Sequence, residues 1–200
     1  MTPGLPWPVQ RGPDGLWRGH GFDLGVVLLV RDRGRVLMVK KAARSGYEFS
    51  GMWTLPGGRI RGEGSLTEAM EDSIRRRVRA EAGVEIDNPI LPISMLPPLT
   101  RYTVAGVSCT TAILPLMAEV RGVPAVSDAS ISEVAWRDLS GSWRWIAPAN
   151  RVILGVALWD ELDGFQRSAA RSALKEAWEM CAMWSGLLQL PPPPEPWSRS

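Results

Sequence analysis

GMWTLPGGRIRGEGSLTEAMEDSIRRRVRAEAGVEI, residues 51–86, reads as strand, glycine loop, helix and glycine stop. Met52 to Leu55 are apolar or tolerated in strands, and Pro56-Gly57-Gly58 breaks that strand. Gly62 and Gly64 leave the next residues free to curl. A loop of this kind brings backbone N–H groups close to anionic oxygens.

Ser65 and Thr67 are both placed to cap the helix, and Ser65 with Glu68 and Thr67 with Glu71 approach the capping-box pattern. Gly83 supplies the stop. Between them Leu66, Met70, Ile74 and Val78 recur every fourth residue, drawing one apolar stripe for packing on a sheet. Glu68, Glu71 and Asp72 come early and Arg75, Arg76, Arg77 and Arg79 late, the order that suits the helix dipole.

The P-G-G turn, the charged helix and the closing E-x-G-V resemble the Nudix box, G-x5-E-x7-R-E-U-x-E-E-x-G-U with U aliphatic. That signature belongs to hydrolases that split a nucleoside diphosphate from a linked group. Anchored on Gly83, Glu81 falls on the last box glutamate, Val78 on the aliphatic position, Arg76 on the arginine, Glu68 on the first glutamate and Gly62 on the opening glycine. This leaves P-G-G four residues upstream of its family place, about one helical turn. Anchored on Gly58 instead, the loop puts Gly64 at the first glutamate, with Glu63 one place early. The helix positions that should present three carboxylates on one face hold Arg77, Ala80 and Glu81.

The resemblance implies a Nudix-type α/β/α sandwich around a mixed sheet, here with an added C-terminal helix. It also implies Mg²⁺ or Mn²⁺ bound by Glu81, Glu68 and Glu63, with Glu81, Glu68 and Arg76 as the catalytic set. Gly57, Gly58 and Arg59, together with Lys40 and Arg44, would then face the phosphates; Lys41 is a third base at that point of the chain. Mg²⁺ usually takes one or two carboxylates plus substrate phosphates, so a lone box ligand makes a weakened site. The GGRIRGEGSL loop is also similar to the GGR-led loops of GDP-mannose mannosyl hydrolases, which implies a nucleotide sugar.

Outward from the box, Leu24–Asp32 reads as a buried strand, Arg33-Gly34 as a turn and Arg35–Lys41 as the returning strand of a hairpin. Arg101–Thr111 and Ala112–Val120 are rich in β-branched and apolar residues and read as two central strands. Ser132–Leu139 resembles the late Nudix strand in which a Glu and a Trp, here Glu133 and Trp136, lead into the final helix. Trp143 and Trp145 would point the same way if extended, either stacking on a base or burying against the last helix. Pro148 opens a helix to about Leu162, and Phe165–Leu190 forms another with Ala170, Leu174, Trp178, Cys181, Trp184 and Leu188 at helical spacing. These readings divide the chain into an arm (1–21) rich in Pro, Gly and Trp, a Nudix-like domain (22–162), an amphipathic helix (163–190) and a Pro-rich tail (191–200). Trp7 and Trp17 pin the arm to the domain or close it over a ligand.

Composition narrows the classes. With 23 bases against 21 acids in 200 residues, the chain lacks the charge excess of a nucleic-acid binder, while small anionic ligands remain suitable. Cys109 and Cys181 form no disulfide framework or metal spacing, which fits a reducing cytoplasm. Val26–Val30, the longest aliphatic run, is too short to span a bilayer. A homodimer seam is the second reading of the last helix, after core packing. The lone His20 leaves no Ser–His–Asp set. Three functions stand open: a metal-dependent hydrolase of nucleoside diphosphate compounds, a Nudix-fold module that binds such a ligand without cleaving it, and a pathway enzyme whose chemistry has moved elsewhere in the fold.

Overall fold

The computed structural model describes residues 5, 7–43, 49–87, 89–104 and 106–184. A leading hairpin of β1 (Val9–Arg11) and β2 (Trp17–Gly19) runs into β3 (Phe22–Leu29), then β4 (Arg31–Asp32), β5 (Arg35–Lys41), β6 (Trp53–Thr54) and β7 (Gly57–Arg59). Helix α1 (Leu66–Ala82) is followed by β8 (Glu85–Ile86), β9 (Leu91–Pro92), β10 (Leu99–Val104), β11 (Val107–Met117), β12 (Val120–Arg121) and β13 (Ile131–Asp138). A 3₁₀ turn (Trp143–Trp145) leads to α2 (Pro148–Leu158), and α3 (Gly164–Trp184) closes the described chain.

The main sheet has the order β1-β2-β3-β11-β10, with β7 also on β3 and β9 on β11. It is mixed, because β3 and β11 run parallel while β10 and β11 are antiparallel. A smaller sheet orders β13-β5-β4, with β6 on β5, and β8 pairs with β12. Side-chain alternation divides these strands between two cores. Leu24, Val26 and Leu28 of β3, Leu37 and Val39 of β5, and Leu114 of β11 meet the α1 stripe. Val27 and Leu29, Val36 and Met38, and Ile113 meet α2 and α3 on the other side. That partition is the α/β/α sandwich, and α3 is the added helix.

Helix α1 begins and ends as its residues dictate. Ser65 is the N-cap, its hydroxyl accepting from the Glu68 amide while the Glu68 carboxylate accepts from the Ser65 amide. Gly83 stops it in the left-handed conformation, φ 69°, and donates to the Arg79 carbonyl. Residues 122–130 then fold back over this end: the Ala125 amide donates to Ala82 O (2.9 Å) and the Ser127 hydroxyl to Ala80 O (2.6 Å).

Several expectations are corrected. The Leu24–Lys41 hairpin divides after Leu29: β3 joins β11 and β7 in the main sheet, and β4 pairs with β5 in the smaller one. β3 pairs with β11 and also with β2 and β7, so it is a central strand and not one arm of a hairpin. Gly57-Gly58-Arg59 is not a break but a strand paired with β3, the interruption falling at Leu55-Pro56. Glycine is required there because a Cβ on Gly57 would lie 2.1 Å from the Val26 carbonyl oxygen. The two strands expected at Arg101–Thr111 and Ala112–Val120 divide earlier, after Val104, which pairs with Val107. Trp143 and Trp145 lie in a 3₁₀ turn and not on an extended face; Trp143 is wholly buried and donates to Leu139 O (2.9 Å). Within the arm, β1 and β2 form a hairpin that continues onto β3, and Trp7 is buried against Phe22, the pinning role expected of it. Trp184 ends the described part of α3, and residues 185–190 lie outside the described residues.

No helix among the described residues is long and apolar enough to cross a membrane. Between α2 and α3, Arg151 is 4% exposed and donates to the carbonyls of Ile146 (2.6 Å), Arg144 (2.9 Å) and Ala173 (3.4 Å). Burial holds its guanidinium pKa below the usual range, and neutral carbonyl acceptors with Glu176 at 3.8 Å accompany the charge.

The cap gives a direct test. Ser65→Ala is expected to lower unfolding free energy by about 1 kcal/mol in urea titration. Bonds from Ser65 hold the Glu68 carboxyl below its usual pKa, so its contribution is present at neutral pH and is lost as pH falls through that lowered value. The stability difference between wild type and Glu68→Gln should accordingly be visible at pH 7 and close in acid.

Candidate functional site

A cleft opens where β3, β5, β7, β10, β11 and the start of α2 meet. It has a volume of about 150 Å³ and is walled by Val27, Leu55, Ile113 and Ala149, with Phe49 and Tyr102 at one side and Lys41 and Arg59 at another. The Phe49 and Tyr102 rings are tilted, with centroids 6.2 Å apart. Asn150 anchors the base of the cleft through Oδ1, which accepts from the Leu55 amide (2.8 Å). Thr54 lines the same space at 7% exposure, and its buried hydroxyl has no hydrogen-bond partner.

The charged wall is built by α1, β5 and β7. Glu81, 2% exposed, points from α1 toward the sheet. Its Oε1 accepts from Lys41 Nζ at 2.9 Å and its Oε2 from the Gly57 amide at 3.0 Å. Four residues back along the helix, Arg77 lays its guanidinium over Gly58, so close that a Cβ on that glycine would fall 2.9 Å from Nε. Asp128 approaches Arg77 at 3.8 Å from the 122–130 segment. Bonds from Ser130, with Arg77 and Lys41 nearby, hold the Asp128 carboxyl below its usual pKa. Arg59 projects from β7 and meets Asp23 at 3.4 Å.

The residues expected from the sequence separate. Gly57, Gly58 and Arg59 line the cleft, and Glu81 borders it beneath Lys41. Glu68 is withdrawn to the helix cap, and Glu63 is 90% exposed on its side chain and 3.8 Å from Arg11. Arg76 lies on another face of α1, exposed beside Arg75, Arg79 and Glu85. Residues 76 and 77 are about 100° apart on a helix, so if one faces the sheet the other cannot. Lys40 and Lys41 divide by strand alternation: Lys40 turns to the far side, 3.8 Å from Glu133 and 6.0 Å from the Trp53 ring, while Lys41 enters the cleft. Arg44 lies outside the described residues. Glu133 is thereby drawn away from the cleft, and Trp145 packs edge-on to Trp53 with Arg137 5.0 Å above its own ring. Thr54, Phe49, Tyr102 and Asp128 carried no motif; the strand period separates Lys41 from Lys40 but, with both faces of β5 apolar, does not say which enters the cleft.

A family model described as the NUDIX domain matches residues 20–153. The structure is similar to that of a MutT NUDIX hydrolase from Burkholderia pseudomallei, 20% identical over 66% of this chain and 94% of that one, with a TM-score of 0.52. The NUDIX domain of Shewanella oneidensis NrtR, solved with ADP ribose, is 24% identical over 58% of this chain and 72% of that one, with a TM-score of 0.41. A NUDIX hydrolase from Nitrosomonas europaea is 16% identical over 85% and 97%, with a TM-score of 0.44. No curated protein matches the chain.

The divalent ion of such hydrolases does not fit the residues here. Among the described residues no three His, Cys, Asp or Glu side chains gather to hold a metal. Glu81 has both carboxylate oxygens engaged by Lys41 and Gly57, and Arg77 brings a cation to the face that should carry its fellow ligand. The three carboxylates expected to hold it lie apart: Glu81 is buried in an ion pair, Glu68 caps a helix and Glu63 faces solvent.

A buried ion pair broken on one side leaves an uncompensated charge. Glu81→Ala is expected to lower stability by about 3 kcal/mol in denaturant, and Lys41→Met to cost a comparable amount. The Glu81→Ala/Lys41→Met double variant should lose far less than the sum, a non-additivity that a double-mutant cycle reads directly.

Proposed function

This chain belongs to the NUDIX domain family, matched over residues 20–153, and from that premise we propose that its cleft binds a nucleoside diphosphate carrying a second group and does not hydrolyse it through the box. The observation that carries this reading is the pairing of Glu81 with Lys41 and Gly57, which takes the one carboxylate retained of the three on that helix face out of use as a ligand or base. Around it the cleft offers what such a ligand asks for. Phe49 and Tyr102 provide aromatic surface for a base. Lys41 and Arg59 provide charge for phosphates, Arg in particular presenting a planar fork of donors. Thr54 holds a buried hydroxyl that a ligand atom would satisfy.

The hydrolase is the competing reading, since the solved relatives named above include hydrolases. A panel of ADP-ribose, nucleotide sugars and nucleoside diphosphates separates the two. At least one member should raise the melting temperature with no release of phosphate or nucleotide over hours. Metal-dependent turnover of any member would instead establish the hydrolase. Thr54→Val, which removes an unpartnered hydroxyl at nearly constant shape, is expected to leave stability unchanged or improved while weakening the bound ligand about five-fold, the worth of one hydrogen bond. An unaltered affinity would remove Thr54 from the site.

A further inference from the structure

Resting on that reading, we propose that Lys41 and Arg77 stand where a divalent ion would serve in this fold, so that the protein neutralises the diphosphate of its ligand with its own side chains and binds it without metal. The two cations are placed by independent elements. Lys41 arrives from β5 with its ammonium 2.9 Å from Glu81, and Arg77 arrives from α1 against Gly58, one strand residue beyond the amide that also binds Glu81. Both therefore border the same short run, Gly57-Gly58-Arg59, that lines the cleft.

Their remaining donors favour an anion. An ammonium has three N–H groups, and Lys41 directs one to Glu81. A guanidinium has five, and the Arg77 contact to Asp128 is a loose 3.8 Å. Lys41 is 15% exposed and Arg77 41%, so both are reachable while partly shielded from water, which strengthens charge-assisted bonds to phosphate. The same geometry disfavours a divalent ion: the three helix positions that would carry carboxylates hold Arg77, Ala80 and Glu81, and with Lys41 and Asp128 the cluster has two acids, each already beside a cation. A metal ion there would displace Lys41 from a buried carboxylate and sit beside a second cation.

Calorimetric titration with inorganic pyrophosphate and with ADP-ribose, each in EDTA and in Mg²⁺, tests this on the whole chain. Both should bind in EDTA, with affinities within about two-fold of those in Mg²⁺. Arg77→Gln, at a half-exposed site, should keep the native circular dichroism and weaken both ligands about ten-fold. Mn²⁺ alone, followed by its paramagnetic resonance, should remain free with wild type and bind the Arg77→Glu/Ala80→Glu variant.

The outcomes divide cleanly. Pyrophosphate binding in EDTA without binding of ADP-ribose or any other member of the nucleotide panel would end the nucleotide reading and keep the metal-free anion site. Binding of both only with Mg²⁺ would overturn the present inference and keep the nucleotide reading. Binding of neither under any condition, Mn²⁺ capture by wild type, or unchanged affinity in Arg77→Gln would each overturn it.

Discussion

One buried ion pair fixes how the two sheets and the first helix meet. Glu81 comes from α1, Lys41 from the smaller sheet and the Gly57 amide from the main sheet, and all three converge within hydrogen-bonding distance. A buried carboxylate must find partners for its charge, and here each oxygen has one. The helix can approach the sheets only in the register that lets Glu81 reach both. That register in turn sets Arg77 over Gly58 and turns Arg76 to solvent. The electrostatic character of the cleft thus follows from a contact whose first role is structural.

The fold was readable because its signals are periodic or conformational. The stripe of Leu66, Met70, Ile74 and Val78 needed only the helical period, and Ser65, Glu68 and Gly83 mark the ends of α1 through local bonds. Pairing across the sheets was harder to read. Whether Leu24–Asp32 turns back on its neighbour or divides between two sheets depends on β11, far along the chain, whose edge competes for β3. The run Gly57-Gly58-Arg59 misled for a similar reason: glycine signals a turn in isolation, yet here it lets β7 press against the Val26 carbonyl.

The site was legible at single positions and not as an assembly. The substitution of Arg77 and Ala80 for box acids is plain in the sequence, and Glu81 is the one that survives. What its carboxylate does instead was not, because Lys41 is distant in sequence and differs from Lys40 only in the parity of its strand position. Glu68 was ambiguous between box glutamate and cap, and the geometry of Ser65 decides for the cap. Thr54, Phe49 and Tyr102 come together only through tertiary packing around the cleft.

The parallel pairing of β3 with β11 also governs the order in which the molecule can assemble. Asp23 pairs with Thr111 and Leu29 with Met117, so the two strands close over almost the whole intervening chain. Such a closure spends chain entropy before any contact returns it, and parallel strands have no tight turn to nucleate them. The helix α1 and the β10–β11 hairpin are local by comparison and can form ahead of it. The cleft takes its walls from both β3 and β11, through Val27 and Ile113. It comes into existence only at that late closure, so nascent chains that have not yet reached β11 have no cleft.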